Sequence, residues 1–308
     1  MSVLVMTRPI PPEALVKSLQ DRGFPHPVHT NLDDVDPTTV RWVITLGLRE
    51  GVFSRLPNLQ MIFNPAAGVD RLLATPDLPA QVPIARTSDE AQSLELAQYV
   101  VHAALDHLRG GPMYRAQQGR RDWSRHRRPV VGTTALVLGL GPIGQRIALS
   151  LAALGFKVSG WSRTPREIAG LTCYAGAEGL RQALPQARVL VCALPLTDQT
   201  QGLIDAGVLA QLPQGAIVIN IGRGGQIVEP DLIAALRSGH LGGASLDVQE
   251  NEPMKPSDPL WVAPNLQLTP HIAGQLSPDA VVAQFMDEVE RLKRGEPLLR
   301  QVSAAAGY

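Results

Sequence analysis

Cysteine is scarce in this 308-residue chain, which holds two, Cys173 and Cys192. Two are too few for a disulfide framework, and their separation matches no C-x-x-C metal motif, so no metal site is expected. Cys192 lies in the apolar run 189–194 and is expected to be a buried structural thiol. Net charge is lacking too: Lys+Arg, at 28, equals Asp+Glu, at 28. A neutral chain argues against nucleic acid or an anionic membrane as partner. No apolar stretch approaches membrane-spanning length. Met1 to Thr7 is apolar but short, without a basic n-region or a small-residue cleavage site, and reads as a strand rather than a signal peptide. No repeat or low-complexity segment interrupts the chain. A soluble, cytoplasmic protein of two domains is the expectation.

What is present is an alternation of short apolar runs and helical patterns, which implies an α/β fold with parallel sheets. Strands are predicted at 3–6, 42–45 and 61–63, with an amphipathic helix carrying Leu15, Val16 and Leu19 after the first and a helix at 68–74 after the last. A long helix is predicted over 90–108, with Leu94, Ala97, Val101, Ala104 and Leu108 on one side. The arginine-rich stretch 115–128 reads as a solvated helix end and loop. Further strands are predicted at 135–138, 156–161, 189–193, 216–220, 244–248 and 266–269. Helices are predicted at 142–154, with Ile143, Ile147, Leu151 and Leu154 on one face, and at 231–236. Ser277-Pro278 opens a last helix, a cap residue followed by proline at the first helical position. That helix is expected to pack back on the first domain. The expected division is 1–100 with 275–308 as a discontinuous substrate-binding domain, and 101–274 as a dinucleotide-binding Rossmann domain.

Gly139-Leu140-Gly141-Pro142-Ile143-Gly144 is a complete G-x-G-x-x-G between a predicted strand and a predicted helix. The first glycine makes a tight turn, the second lets backbone approach a pyrophosphate, and the third permits close helix packing. After the next strand comes Trp161-Ser162-Arg163-Thr164-Pro165-Arg166, with Ser162 where an NAD site usually carries Asp or Glu. No carboxylate stands there to repel a 2′-phosphate, and Arg163 can pair with one, helped by Arg166. NADP is therefore the expected cofactor, with NAD possible.

Three polar residues follow predicted strands at their C-terminal ends, where ligands bind in open parallel sheets. Arg223 lies in Ile219-Asn220-Ile221-Gly222-Arg223-Gly224-Gly225, Glu252 in Asp247-Val248-Gln249-Glu250-Asn251-Glu252-Pro253, and His271 in Leu268-Thr269-Pro270-His271-Ile272-Ala273-Gly274. A cation, a carboxylate and an imidazole beside a dinucleotide site are what hydride transfer to a 2-oxo acid requires.

With these segments, Ala67-Gly68-Val69-Asp70 and Leu194-Pro195-Leu196-Thr197, the chain resembles the D-isomer-specific 2-hydroxyacid dehydrogenase family over nearly its whole length. Trp161-Ser162-Arg163 and the Gly307-Tyr308 ending resemble its glyoxylate/hydroxypyruvate reductase A branch. The resemblance implies two Rossmann-like or flavodoxin-like domains that close on the substrate, with the active site in the cleft between them. It implies that Arg223 binds the substrate carboxylate and carbonyl oxygen, and that His271 acts as general acid/base. Glu252 would hydrogen-bond His271 and favour its charged form. The substrate carboxylate would also meet the backbone of Ala67, Gly68 and Val69. Cofactor contacts are implied for Gly139, Gly141, Pro142, Ile143, Gly144, Ser162, Arg163, Thr164, Leu194, Pro195, Ile221, Gly222, Asp247, His271 and Ala273, with Asp247 at the nicotinamide amide. A homodimer is implied through the 90–108 helix and the segment after it.

Three positions depart from the family pattern: Ala66 for a glycine, Gln249 for a phenylalanine, and Gln98 for a glutamate. None removes a catalytic group. The expected activity is NAD(P)H-dependent reduction of a small, glyoxylate- or hydroxypyruvate-like 2-oxo acid. A relative acting on a larger 2-hydroxy acid, and a non-catalytic NAD(P)-sensing protein, stay open as alternatives.

Overall fold

The computed structural model describes residues 1–7, 11–126, 130–304 and 307. The arginines at the end of the 115–128 stretch and Tyr308 lie outside the described residues. The chain divides into two compact units, Met1–Glu90 with Leu276–Tyr308, and Ala91–Gln275. The first division falls ten residues before the expected position at 100, because Leu96, Ala97 and Val100 belong to the core of the second unit.

The first unit holds β1 (Ser2–Met6), α1 (Glu13–Asp21), β2 (Val28–His29), β3 (Val40–Thr45), β4 (Met61–Asn64), α2 (Asp70–Leu73) and β5 (Ile84–Arg86). Its sheet is parallel, in the order β2-β1-β3-β4-β5, the flavodoxin-like arrangement. Strand alternation sends Val3, Val5, Trp42, Ile44, Met61 and Phe63 to one face. There they meet Leu15 and Leu19 of α1 and Val281, Val282, Phe285 and Val289 of the closing helix, Pro278–Lys293. Leu4, Val43 and Ile62 face the other way, onto Leu32, Phe53 and Leu72. The Ser277 side chain caps the closing helix on the Ala280 N–H. The predicted helix at 68–74 is shorter, because Val69, at φ −120°, is still outside it.

The second unit begins with α3 (Glu90–Leu108) and α4 (Gly111–Arg120), then β6 (Thr134–Leu138), α5 (Pro142–Ala153), β7 (Lys157–Ser162), β8 (Thr172–Ala175), α6 (Gly176–Ala183) and β9 (Val189–Cys192). It continues with α7 (Ala206–Gln211), β10 (Ala216–Asn220), α8 (Glu229–Arg237), β11 (Leu241–Leu246) and β12 (Leu266–Leu268). Its sheet is parallel, in the order β12-β11-β10-β9-β6-β7-β8. The doubly wound order reverses between β6 and β9, the switch point at which such sheets bind ligands.

Two expectations need correcting. The buried stripe of α3 is Leu96, Ala97, Val100, Ala103, Ala104 and His107, while Leu94 is exposed. Small residues let this helix lie close on Val137 and Ile219 of the sheet. On α5 the buried residues are Gly144, Ile147, Ala148 and Leu151, and Leu154, already at the cap, is exposed. As expected, the arginine-rich stretch begins at the end of a helix, α4, which stops where Arg121 turns left-handed at φ 57°, and residues 122–126 follow as exposed loop. Among the described residues no helix is long and apolar enough to cross a membrane.

Candidate active site

The glycine turn joins β6 to α5. Gly139, at φ +96°, turns the chain, and a Cβ there would stand 2.6 Å from the Ala193 carbonyl oxygen of the neighbouring strand connection. A Cβ on Gly144 would stand 1.8 Å from the Gly139 oxygen, so the helix can approach only with glycine there. Gly141 differs: its Cβ direction meets nothing within 4 Å. It caps α5 without a side-chain hydrogen bond, and Pro142 supplies the first turn. Open space over a glycine, facing unsatisfied N–H groups at a helix start, fits the phosphates of a dinucleotide. Ile143 is half-buried behind it.

At the end of β7, Ser162 is buried and its Oγ donates to the Thr164 carbonyl at 2.8 Å. Arg163 and Arg166 are exposed just beyond. Arg163 donates to Gln199 Oε1 at 3.2 Å, and Arg166 to the Leu140 carbonyl of the glycine turn at 3.4 Å. Two cations just beyond a strand that ends in serine rather than a carboxylate fit a ribose bearing a 2′-phosphate. Leu194 and Pro195 follow β9; their carbonyls accept from Gln226 Nε2 and Thr200 Oγ1, each at 2.7 Å. Ile221 and Gly222 follow β10. The Ile221 N–H donates to the Cys192 carbonyl at 3.1 Å and the Gly222 N–H to Asn220 Oδ1 at 3.0 Å.

Arg223, Glu252 and His271 converge. His271 Nδ1 and Glu252 Oε2 are 2.8 Å apart, and the other carboxylate oxygen of Glu252 accepts the Gln249 N–H at 3.0 Å. With Nδ1 engaged, Nε2 is the nitrogen left to face a substrate. Burial pushes the Glu252 carboxyl up. The His271 hydrogen bond, the Gln249 N–H and the charges of His271 and Arg223 outweigh it and hold the group below its usual value. Arg223 is brought to Glu252 by Gly224, where a Cβ would be 1.9 Å from the Gln249 carbonyl carbon. The two loops pack backbone to backbone. The Arg223 side chain also donates to the Gly222 carbonyl at 2.8 Å.

His271 has a left-handed backbone, φ 55°, uncommon for a residue with a side chain. Asp247, buried at the end of β11, imposes it. Its carbonyl accepts the His271 N–H at 2.8 Å. Its carboxylate accepts Thr269 Oγ1 at 2.7 Å, the Ile272 N–H at 2.8 Å and the Ala273 N–H at 2.9 Å. Behind it the Tyr99 hydroxyl lies 2.7 Å from Thr269 Oγ1. Burial pushes that phenol up to about 12, so it stays neutral. Gln249 Nε2 adds bonds to the Leu246 and Thr269 carbonyls, at 3.2 and 3.3 Å.

In the first unit the loop 64–69 is folded by Asn64, whose amide donates to the Ala66 and Gly68 carbonyls at 2.6 and 2.9 Å, and by Arg86, which donates to the Ala67 carbonyl at 2.7 Å. Val69 is buried at its end. Sequence reasoning overlooked Asn64, Asn220, Gln226 and the role of Asp247 on the His271 loop. Among these Asn64 and Asn220, the polar residues that close the apolar strands β4 and β10, carried a sequence signal. Among the described residues no group of three or more His, Cys, Asp or Glu could hold a metal.

The comparisons agree with this geometry. The family model for the D-isomer specific 2-hydroxyacid dehydrogenase NAD binding domain matches residues 101–273. A glyoxylate/hydroxypyruvate reductase A from Salmonella heidelberg is 38% identical over 260 residues, 81% of this chain and 82% of the relative. A D-isomer specific 2-hydroxyacid dehydrogenase from Xanthobacter autotrophicus Py2, solved with NADPH and MES, superposes with a TM-score of 0.95 at 38% identity, covering 100% of this chain and 99% of that one. An NADPH-dependent glyoxylate/hydroxypyruvate reductase from Sinorhizobium meliloti, solved with NADP and sulfate, gives 0.94 at 35% identity over 100% and 99%. The chain belongs to the D-isomer-specific 2-hydroxyacid dehydrogenase family, in its glyoxylate/hydroxypyruvate reductase A branch, and is an NAD(P)-dependent oxidoreductase.

Proposed function

We propose that the protein reduces glyoxylate, hydroxypyruvate or a closely related small 2-oxo acid to the 2-hydroxy acid, with NADPH preferred over NADH. The observation that carries this reading is the 2.8 Å bond between His271 Nδ1 and Glu252, with the charge of Arg223 acting on the same carboxylate. NADPH, when bound, supplies the hydride. Gly139, Gly141, Pro142, Ile143 and Gly144 would hold its phosphates, and Ser162, Arg163 and Thr164 its ribose. Leu194, Pro195, Ile221, Gly222, Asp247 and Ala273 would line the remainder of its site.

The chain's own residues do the rest. Arg223 pairs with the substrate carboxylate and polarises the carbonyl, so that negative charge developing on the oxygen meets a fixed cation. His271 gives its Nε2 proton to that oxygen, and Glu252 stabilises the imidazolium and fixes the ring. The loop of Ala67, Gly68 and Val69 is the proposed carboxylate-binding segment of its own unit. The relatives solved with NADPH and NADP support the cofactor preference, as does Ser162, rather than Asp or Glu, as the last residue of β7.

The test is steady-state oxidation of NADPH, and separately NADH, with glyoxylate and with hydroxypyruvate. Turnover with a higher kcat/KM for NADPH, reduced by Arg163→Ala, is expected. NADH preferred would overturn the phosphate-pairing argument. Tight NADPH binding without turnover of any 2-oxo acid would favour a sensing protein.

The exposed Leu94 on α3 supports a homodimer, which light scattering tests and a monomer contradicts. Both cysteines are free, as a reducing cytoplasm keeps them.

A further inference from the structure

Gln226 is fully buried directly after the glycine pair that follows Arg223, and both its amide nitrogen and its amide oxygen are engaged. Its Nε2 donates to the Leu194 carbonyl at 2.7 Å. Its Oε1 accepts the Arg223 N–H at 2.8 Å and the Cys192 thiol at 3.2 Å. Burial pushes that thiol up to about 12, so it stays a neutral donor. Gly222 fits this arrangement because a Cβ there would lie 2.3 Å from Gln226 Oε1 and 2.8 Å from the Leu194 oxygen. One side chain thus ties the end of β9 to the backbone of Arg223.

We infer that Gln226 is a positioning residue for Arg223, setting where the guanidinium stands relative to the loop that begins at Leu194; the inference rests on the role proposed for Arg223. Asn220 Nδ2 holds the Arg223 carbonyl, at 2.9 Å. Without the amide, a part-buried N–H and a buried carbonyl lose their partner, and the loop relaxes to satisfy them elsewhere. A guanidinium displaced by even part of an ångström loses its alignment with a carboxylate and a carbonyl.

The test uses Gln226→Met, which keeps the volume and removes the hydrogen bonds. It is expected to lower kcat/KM for glyoxylate roughly 10- to 100-fold, the range for a lost buried hydrogen-bond partner. The loss should fall on the KM for the oxo acid and on kcat, with the KM for NADPH within about three-fold of wild type. In an Arg223→Ala background the same change should cost under about three-fold of the residual turnover, because the residue acts through Arg223. An equal fold loss in both backgrounds would mean a general structural role and overturn the inference, as would wild-type kcat/KM in Gln226→Met.

Gln226→Glu gives an independent reading if the methionine variant does not fold. Its protonated carboxyl can still donate to Leu194 and accept from Arg223, and burial favours that protonated form. The ratio of its kcat/KM to that of wild type at the same pH should rise toward one as pH falls from 8 to 6; a ratio constant over that range overturns the inference. Full turnover in Arg223→Ala would bring down the reading of Arg223 itself. Loss in Arg223→Ala with none in Gln226→Met brings down this inference alone.

Discussion

Asp247 grips His271 by the backbone: the aspartate carbonyl accepts the His271 N–H at 2.8 Å, and its buried carboxylate accepts the next two N–H groups, of Ile272 and Ala273. That grip holds the histidine at φ 55° and aims its ring at Glu252. The imidazole is therefore placed by a residue that never touches it.

Asp247→Asn should damage both stability and turnover. An amide puts its NH2 group against N–H donors, so at least one of three bonds is replaced by a clash of donors. We expect roughly 2 kcal/mol of destabilisation and a loss of kcat/KM of about 10-fold or more. Thermal unfolding and steady-state kinetics check the two effects, and a variant matching wild type in both would refute the grip.

Glu252 makes stability depend on acid. Its carboxyl is held below the ordinary value of 4.5 by His271, Gln249 and Arg223 against the opposing effect of burial. The stability this contributes is present above the unfolded value and is lost as pH falls through the lower folded value. Glu252→Gln lacks the titration. The difference in unfolding free energy between wild type and Glu252→Gln should shrink as pH drops below about 4.5; denaturant titrations at successive pH values measure it, and a difference constant down to pH 3 would contradict the shift.

The glycines of the β6–α5 turn separate packing from binding. Gly141→Ala should leave the apo protein's melting temperature unchanged, since φ is −72° and the new Cβ meets nothing within 4 Å. It should weaken NADPH by at least ten-fold if phosphates approach there. Gly144→Ala, with the Gly139 oxygen 1.8 Å away, should lower the melting temperature of the apo protein. Calorimetry with and without NADPH distinguishes them, and equal melting losses would contradict the assignment.

The thiols offer a check on the core. Cys192 is buried and its thiol is pushed up to about 12, whereas Cys173 is half-buried on β8. A thiol reagent at pH 8 should label only Cys173 in the folded protein and both cysteines after unfolding. Rapid labelling of Cys192 in the native state would contradict the described packing.

Much of this site was legible in the sequence because its chemistry sits in short local segments. Gly139 to Gly144 reads as a phosphate turn from its glycine spacing between a predicted strand and a predicted helix, and Arg223, Glu252 and His271 each follow an apolar run. The supports were not legible. That Gly224 packs on Gln249, that Asp247 bends the His271 loop and that Gln226 reaches Leu194 are tertiary facts, made by residues 22 to 32 positions apart. The face of α3 was misread for a related reason. Leu94 looks like core by hydrophobicity but is exposed; the sheet accepts the side with Ala97, Val100, Ala103 and Ala104, where small residues allow close approach, and Leu108 packs at its edge. His107 is buried on that side too, its Nε2 3.1 Å from the Ala244 carbonyl, and burial pushes its pKa down.

The most direct test of the account is NADPH oxidation with glyoxylate and hydroxypyruvate by wild type, Arg223→Ala and His271→Ala, each first shown to be folded and to bind NADPH. Loss of the positioned acid and of the substrate cation should each lower kcat/KM by roughly 100-fold or more, with NADPH affinity little changed. Full turnover by both variants on every accepted oxo acid would contradict the account.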